Sequence, residues 1–221
     1  VRWPHLARGS VPPPEFISLA EETGMIVPLT RAVMERVCND IAELGSALPP
    51  DFRISINLSG VNFMDAQLIP TVRAVLDGAG VPASRIEFEL IETVLMRDLD
   101  YATLTLAQLR EMGIRVAVDD FGTGYSSLAQ LSQIPFTELK IDKDFVFGAH
   151  AQPRKRAVVE ASLDLARKLG LTAVAEGVES MEDWQMLAEL GCDIAQGYLI
   201  GRPVPGSELQ AAISRWRRPA H

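Results

Sequence analysis

The sequence has 221 residues, 29 of them acidic and 21 basic, for a formal net charge of −8. At 48% hydrophobic and 23% charged it has the composition of a globular chain with ample apolar side chains for a core, which excludes disordered, collagen-like and coiled-coil classes; the acidic balance also works against coating DNA, where neutralising phosphates takes clustered Lys and Arg. No stretch approaches the roughly 18 to 20 uninterrupted apolar residues of a membrane helix, and Val1-Arg2-Trp3-Pro4-His5 lacks the basic-then-apolar pattern of a signal peptide, so a cytoplasmic chain without a membrane segment is expected.

In chain order, Pro12-Pro13-Pro14 reads as a helix start, and helical patterns follow at 14–22 and 28–44, the second with an apolar stripe of Val33, Val37, Ile41 and Leu44. Cys38 falls on that helix and reads as a buried free thiol. Cys192 lies far away and neither cysteine belongs to a Cys-x-x-Cys pair, which argues against a disulfide framework or a thiolate zinc site. From about residue 50, β-rich runs at 53–57, 85–89, 114–119, 138–142, 172–176 and 193–196 alternate with helical patterns at 65–79, 99–112, 126–133, 154–169 and 181–190. Several helices stop at a glycine before the next strand, as at Met112-Gly113, Leu169-Gly170 and Leu190-Gly191. Repeated strand-helix units predict an α/β fold with a parallel sheet in one continuous domain, 1–221. Six strands after two opening helices leave two architectures, an open doubly wound sheet or a (β/α)8 barrel whose first two strands lie ahead of Val1.

Parallel-sheet enzymes assemble their sites at the C-terminal ends of strands. Here those ends carry Asn57, Glu89, Asp119 with Asp120, Lys140 with Asp142, Glu176 and Gln196. A single strand-end carboxylate is usually a cap or a surface group; carboxylates on successive strands repel one another unless cations compensate them. The donors are oxygens without His or Cys, which suits Mg2+ or Mn2+, and adjacent aspartates can serve two metals in a phosphodiester-cleaving centre. Lys140 either orients the attacking water, with Asp142 holding its ammonium, or is a buried ion pair without a catalytic role. Gly122 and Gly124 resemble part of a dinucleotide loop, but Ser127 stands where a third glycine is needed. His5, His150 and His221 pair in sequence with no nucleophile, and Trp184 and Met186 read as packing residues on a helix.

Taken together, Val1-Arg2-Trp3, Pro14-Glu15-Phe16-Ile17, Ser55-Ile56-Asn57-Leu58-Ser59, Glu89-x-x-Glu92, Asp119-Asp120-Phe121-Gly122-Thr123-Gly124-Tyr125, Lys140-Ile141-Asp142, Ala175-Glu176-Gly177-Val178-Glu179 and Gln196-Gly197-Tyr198 resemble the EAL-domain family of cyclic di-GMP phosphodiesterases. The resemblance implies a modified TIM (β/α)8-like barrel and Mg2+- or Mn2+-dependent hydrolysis of cyclic di-GMP to pGpG in bacterial signalling. It implies Asn57, Glu89 and Asp119 as ligands of one metal, and Asp119, Asp120 and Glu176 as ligands of the other. Lys140 would position the water, Glu176 would be the general base, and Gln196 would lie near the water or substrate. Arg2 would grip a substrate phosphate, Glu92 would brace the loop from Phe121, and Glu179 would support the site. The Glu-Ala-Leu tripeptide that names the family would immediately precede Val1, so the domain is expected to be N-terminally incomplete, with its first one or two strands upstream. Ile91 stands where the family commonly has threonine. A homodimer and a covalently linked sensory or regulatory domain upstream are further implications.

Two other classes stay open at this level: an EAL-like receptor that binds cyclic di-GMP without cutting it, and a nucleotide-cofactor oxidoreductase.

Overall fold

The computed structural model describes residues 3–5, 9–95, 97–121 and 134–216, with the backbone alone at Pro4, His5, Ser10 and Asp120. Contacts group the chain into two units, 1–88 and 89–221.

The first unit opens with an antiparallel pair, β1 (Trp3–His5) and β2 (Gly9–Val11), where the sequence pattern predicts helices first. Strands of three residues, one containing Pro4, are too short to display a period-two pattern. The Trp3 ring meets Phe16 edge to face at 5.7 Å, joining β1 to α1 (Pro13–Glu22). In α2 (Ile26–Leu44) the buried residues are Ile26, Thr30, Met34, Cys38 and Ile41, one helical face. Val33, Val37 and Leu44 flank that face, so the predicted stripe is rotated by about one residue, and Cys38 is a buried free thiol as expected.

β3 (Ile54–Asn57) is followed by α3 (Gly60–Phe63), which the sequence pattern does not predict, and by α4 (Leu68–Ala79), which starts three residues later than the predicted 65–79 helix. The buried Asn62 is satisfied: its Oδ1 accepts from Thr30 Oγ1 at 3.0 Å and Ser59 Oγ at 2.8 Å, while Ser59 Oγ caps α3 by accepting from the Asn62 N–H. Phe63 and Phe88 are fully buried, and Ile56, Val72 and Ile86 are buried in the same unit.

β4 (Ile86–Ile91) carries the boundary between the units and leads into α5 (Glu92–Leu95) and α6 (Leu99–Glu111), whose N-cap Asp98 accepts from the Tyr101 N–H at 3.0 Å. β5 (Arg115–Phe121), β6 (Glu138–Ile141), β7 (Thr172–Ala175) and β8 (Ile194–Ala195) pair in parallel, and the hydrogen-bonded strand order β3-β4-β5-β6-β7-β8 follows the sequence. An α/β fold with sequential strands is the expected class, and the open doubly wound alternative is set aside because its strand order reverses at a switch point. The intervening helices are α7 (Lys143–Val146), α8 (Pro153–Leu169) and α9 (Met181–Glu189), with α10 (Gly206–Arg215) after β8. The sequence pattern misses α3, α5, α7 and α10, and the predicted 126–133 helix lies outside the described residues.

The core of the second unit is built from Leu139, Ile141, Val159, Leu163, Ala166, Ala175, Val178, Met186 and Leu187, with Trp184 packed against it. At the N-terminal ends of its strands, Arg115 Nη2 lies 2.8 Å from Glu138 Oε1 and donates to Thr172 Oγ1 at 3.1 Å, tying β5, β6 and β7 together. At the other ends the loops interlock. A Cβ on Gly197 would stand within 2.3 Å of the Val178 backbone nitrogen and oxygen. The Val178 N–H donates to Gln196 O at 3.0 Å and the Leu199 N–H to Val178 O at 3.0 Å, so the chain after β8 is clamped on the chain after β7.

Gly197→Ala is therefore expected to destabilise the protein by roughly 2–4 kcal/mol in denaturant unfolding, because backbone cannot give way as a flexible side chain does. Gly201→Ala, where an added Cβ meets nothing within 4 Å, is expected to stay within about 0.5 kcal/mol of wild type.

Candidate active site

All four residues of β6 are buried. Leu139 and Ile141 turn into the apolar core, so strand alternation sends Lys140 to the opposite face, where it is only 3% exposed. Its Nζ lies 2.8 Å from Glu89 Oε1 on β4, 3.4 Å from Asp119 Oδ1 on β5 and 2.5 Å from Glu176 Oε1 after β7. Burial disfavours the Lys140 ammonium, but the fields of Glu89, Asp119 and Glu176 outweigh it and raise its pKa, so the lysine is charged. Glu176 is displaced the same way for the opposite reason: burial raises its pKa, Asp119 and Glu89 add to that, and Lys140 only partly offsets them.

A register shift lies between Val118 and Phe121. Val118 pairs with Leu139 and Phe121 with Ile141, so Asp119 and Asp120 together stand opposite Lys140. Such a two-against-one bulge breaks the strict alternation that would send neighbouring side chains to opposite faces, and bulges recur beside active sites for that reason.

One ammonium against three carboxylates leaves two negative charges uncompensated. In a buried site of low effective dielectric the repulsion among the carboxylates is screened far less than it is in bulk water. Asp119 Oδ1 is also buried and, among the described residues, finds no hydrogen-bond donor, its 3.4 Å contact with Lys140 lacking hydrogen-bond geometry. Among the described residues no three acidic, histidine or cysteine side chains converge as a preformed cation cage; Glu89, Asp119 and Glu176 gather round the lysine instead. An orphaned carboxylate oxygen in an all-oxygen, net-negative donor set fits a hard divalent cation.

The other sequence-predicted residues are more dispersed. Asn57 ends β3 in the first unit and is exposed. Gln196 and Glu179 are exposed, with Gln196 held through its backbone, whose N–H donates to Ala175 O at 2.8 Å. Glu92 is 3% exposed at the start of α5; the loop it is expected to brace lies outside the described residues from Gly122, as does Arg2, and the Asp120 side chain is not described. Asp142 corrects the expectation that it holds the ammonium. Its Oδ1 accepts the Asp144 N–H at 2.7 Å as the N-cap of α7, and the ion-pair partners found for Lys140 are Glu89, Asp119 and Glu176. Sequence reasoning also misses a buried carboxylate, Asp183, bonded to His150 across 33 residues of chain, which no local pattern announces.

The EAL domain family matches residues 1–203. The chain belongs to this family. A cyclic di-GMP phosphodiesterase of Pseudomonas aeruginosa, NbdA, is 39% identical over 98% of the EAL chain and 28% of its own length. The phosphodiesterase PaMucR, solved in complex with c-di-GMP, superposes with a TM-score of 0.89 at 39% identity, covering 94% of this chain and 84% of that one. Klebsiella pneumoniae BlrP1, solved as a calcium and cyclic di-GMP complex, gives a TM-score of 0.71 at 29% identity over 80% of this chain and 44% of its own. The EAL chain spans about a quarter to a third of the length of the curated relatives it matches. Among the described residues no helix is long and apolar enough to cross a membrane.

Lys140→Met in this EAL domain leaves three carboxylates facing one another without an ammonium. In metal-free buffer it is expected to lower unfolding stability by roughly 3 kcal/mol, and added Mg2+ is expected to restore part of that loss in a thermal melt.

Proposed function

We propose that this EAL domain is a divalent-metal-dependent phosphodiesterase that hydrolyses cyclic di-GMP to pGpG. The observation that carries the proposal is the Lys140 cluster, a buried ammonium among more carboxylates than it can neutralise. Support for the substrate comes from relatives that are named for that reaction or were solved with that nucleotide. The calcium in the BlrP1 complex supports a hard cation.

Asn57, Glu89 and Asp119 would hold one cation, and Asp119, Asp120 and Glu176 the other. Mg2+ or Mn2+ there would supply Lewis-acid charge to the scissile phosphodiester. Lys140 holds the attacking water and meets negative charge as it develops on phosphorus-bound oxygen. Glu176, whose pKa is raised, accepts the proton that the water loses. The water oxygen bonds to phosphorus, the bond to the 3′ oxygen breaks, and that oxygen takes up the proton that Glu176 accepted and leaves as a hydroxyl, giving a linear dinucleotide with a 5′ phosphate. Arg2 grips a substrate phosphate, where a planar fork suits paired oxygens. Gln196 lies on the substrate side, while Glu92 and Glu179 steady the adjoining loops. A linked sensory or regulatory domain belongs to the same proposal, because the relatives are three to four times longer than the matched region; a cytoplasmic setting and a homodimer are proposed with it.

The test incubates the domain, carrying the Glu-Ala-Leu tripeptide ahead of Val1, with cyclic di-GMP and Mg2+ or Mn2+, and separates the nucleotides chromatographically. Metal-dependent appearance of pGpG is expected, and Asp119→Asn is expected to reduce turnover roughly a hundredfold or more. Turnover that survives Asp119→Asn contradicts the assignment. Binding without any product moves the domain to the receptor class.

A further inference from the structure

Asp183 is a carboxylate on the first turn of α9, 1% exposed and outside the Lys140 cluster. Four donors converge on it. Its Oδ1 accepts the His150 N–H at 3.1 Å and, in the tautomer protonated there, His150 Nδ1 at 2.8 Å; its Oδ2 accepts the Gly148 N–H and the Ser180 hydroxyl, each at 2.9 Å. Ser180 in turn caps α9 by accepting the Asp183 N–H at 3.1 Å. Only an ionised carboxylate is an acceptor at both oxygens, so no other side chain of this size satisfies all four donors. Burial alone would raise the Asp183 pKa, yet the bonds from His150, Gly148 and Ser180 together lower it.

The two segments joined by this carboxylate are the distal parts of the connections that follow β6 and β7. The β6–β7 ladder ends at Ile141 and Ala175, with one further bond from the Glu176 N–H to Ile141 O at 3.1 Å. Beyond it, Gly177 lies against Lys143. Gly177 has φ +67°, and a Cβ there would overlap Lys143 Cβ and come within 3.1 Å of its Cα, so the close approach of the two connections requires glycine. Gly177 follows Glu176 directly, and Lys143 begins α7 just after Lys140-Ile141-Asp142. On one side the chain runs from Lys143 through α7 to Gly148 and His150. On the other it runs from Gly177 to Ser180. Asp183 closes this loop of contacts at its outer end.

We infer that Asp183 is a positioning residue: by gathering Gly148, His150 and Ser180 on one carboxylate it holds Lys143 against Gly177 and so sets the approach of Lys140 to Glu176. The inference rests on the assignment of those two groups to the reacting centre proposed above. A shift of about 1 Å in a reacting group costs up to a hundredfold in rate, so a latch of this kind acts on turnover more than on substrate binding.

The test compares wild type, Asp183→Ala and Asp183→Asn by amide hydrogen exchange and by steady-state hydrolysis of cyclic di-GMP. Asp183→Asn keeps the shape and one acceptor oxygen, so it stays folded if the alanine variant does not, and it is expected to fall between alanine and wild type in both readouts. The expected result is faster exchange spreading from 148–150 into 142–146 and 176–179, with kcat lowered roughly 10- to 100-fold in the alanine variant and KM little changed. Faster exchange confined to 148–150 and 180–183 in both variants, with kcat intact, overturns the inference and leaves Asp183 a local cap. Should wild type bind cyclic di-GMP without cutting it, the proposed reaction fails, while the spread of exchange still decides whether the latch reaches Lys140 and Glu176.

Discussion

The ammonium of Lys140 is the constraint round which the second unit is organised. It is nearly inaccessible and bound to Glu89, Asp119 and Glu176, so β4, β5, β6 and the end of β7 each deliver a single charged group to one point. Deleting any carboxylate relieves repulsion, whereas deleting the lysine maximises it. The cluster is costly for a protein at rest and useful for one that recruits cations, which is where natural proteins accept local destabilisation. Burial makes the excess charge effective, since the same carboxylates in bulk water would repel by only about 1 kcal/mol at 4 Å.

Stability that the cluster does not provide comes from both ends of the strands. At their N-terminal ends Arg115 reaches Glu138 and Thr172 and fixes the register of three strands. Above the C-terminal ends the connections interlock, Gly197 against the Val178 backbone and Gly177 against Lys143. Interlocked backbones transmit small displacements, because packed elements shift between discrete arrangements and do not stretch. The position of Glu176 is thus tied to residues far from it in sequence.

Much of this was legible in the sequence. Each of the six runs that carries β propensity becomes a strand, and the polar residues at the ends of four of them, Glu89, Asp119, Lys140 and Glu176, meet, because parallel βα units leave that end of every strand open for chemistry. What was illegible is geometric. Period-two alternation puts Lys140 and Asp142 on one face, but β6 stops at Ile141 and Asp142 turns to cap α7, since a carboxylate beside an exposed N–H at a helix start finds its bond there. The bulge that sets Asp119 and Asp120 opposite one residue leaves no mark in a string of alternating letters. The β1–β2 pair is too short for periodicity to register. His150 and Asp183, unremarkable in isolation, meet only through the path of the chain between them.

The central claim is that the excess carboxylate charge round Lys140 is a cation site. Calorimetric titration of Mn2+ into wild type and into Asp119→Asn tests it without requiring turnover. The account predicts saturable binding by wild type and at least about tenfold weaker binding by the variant, which keeps the size of the side chain and removes its charge. Equal affinity in the two proteins, or no binding to wild type, would contradict it.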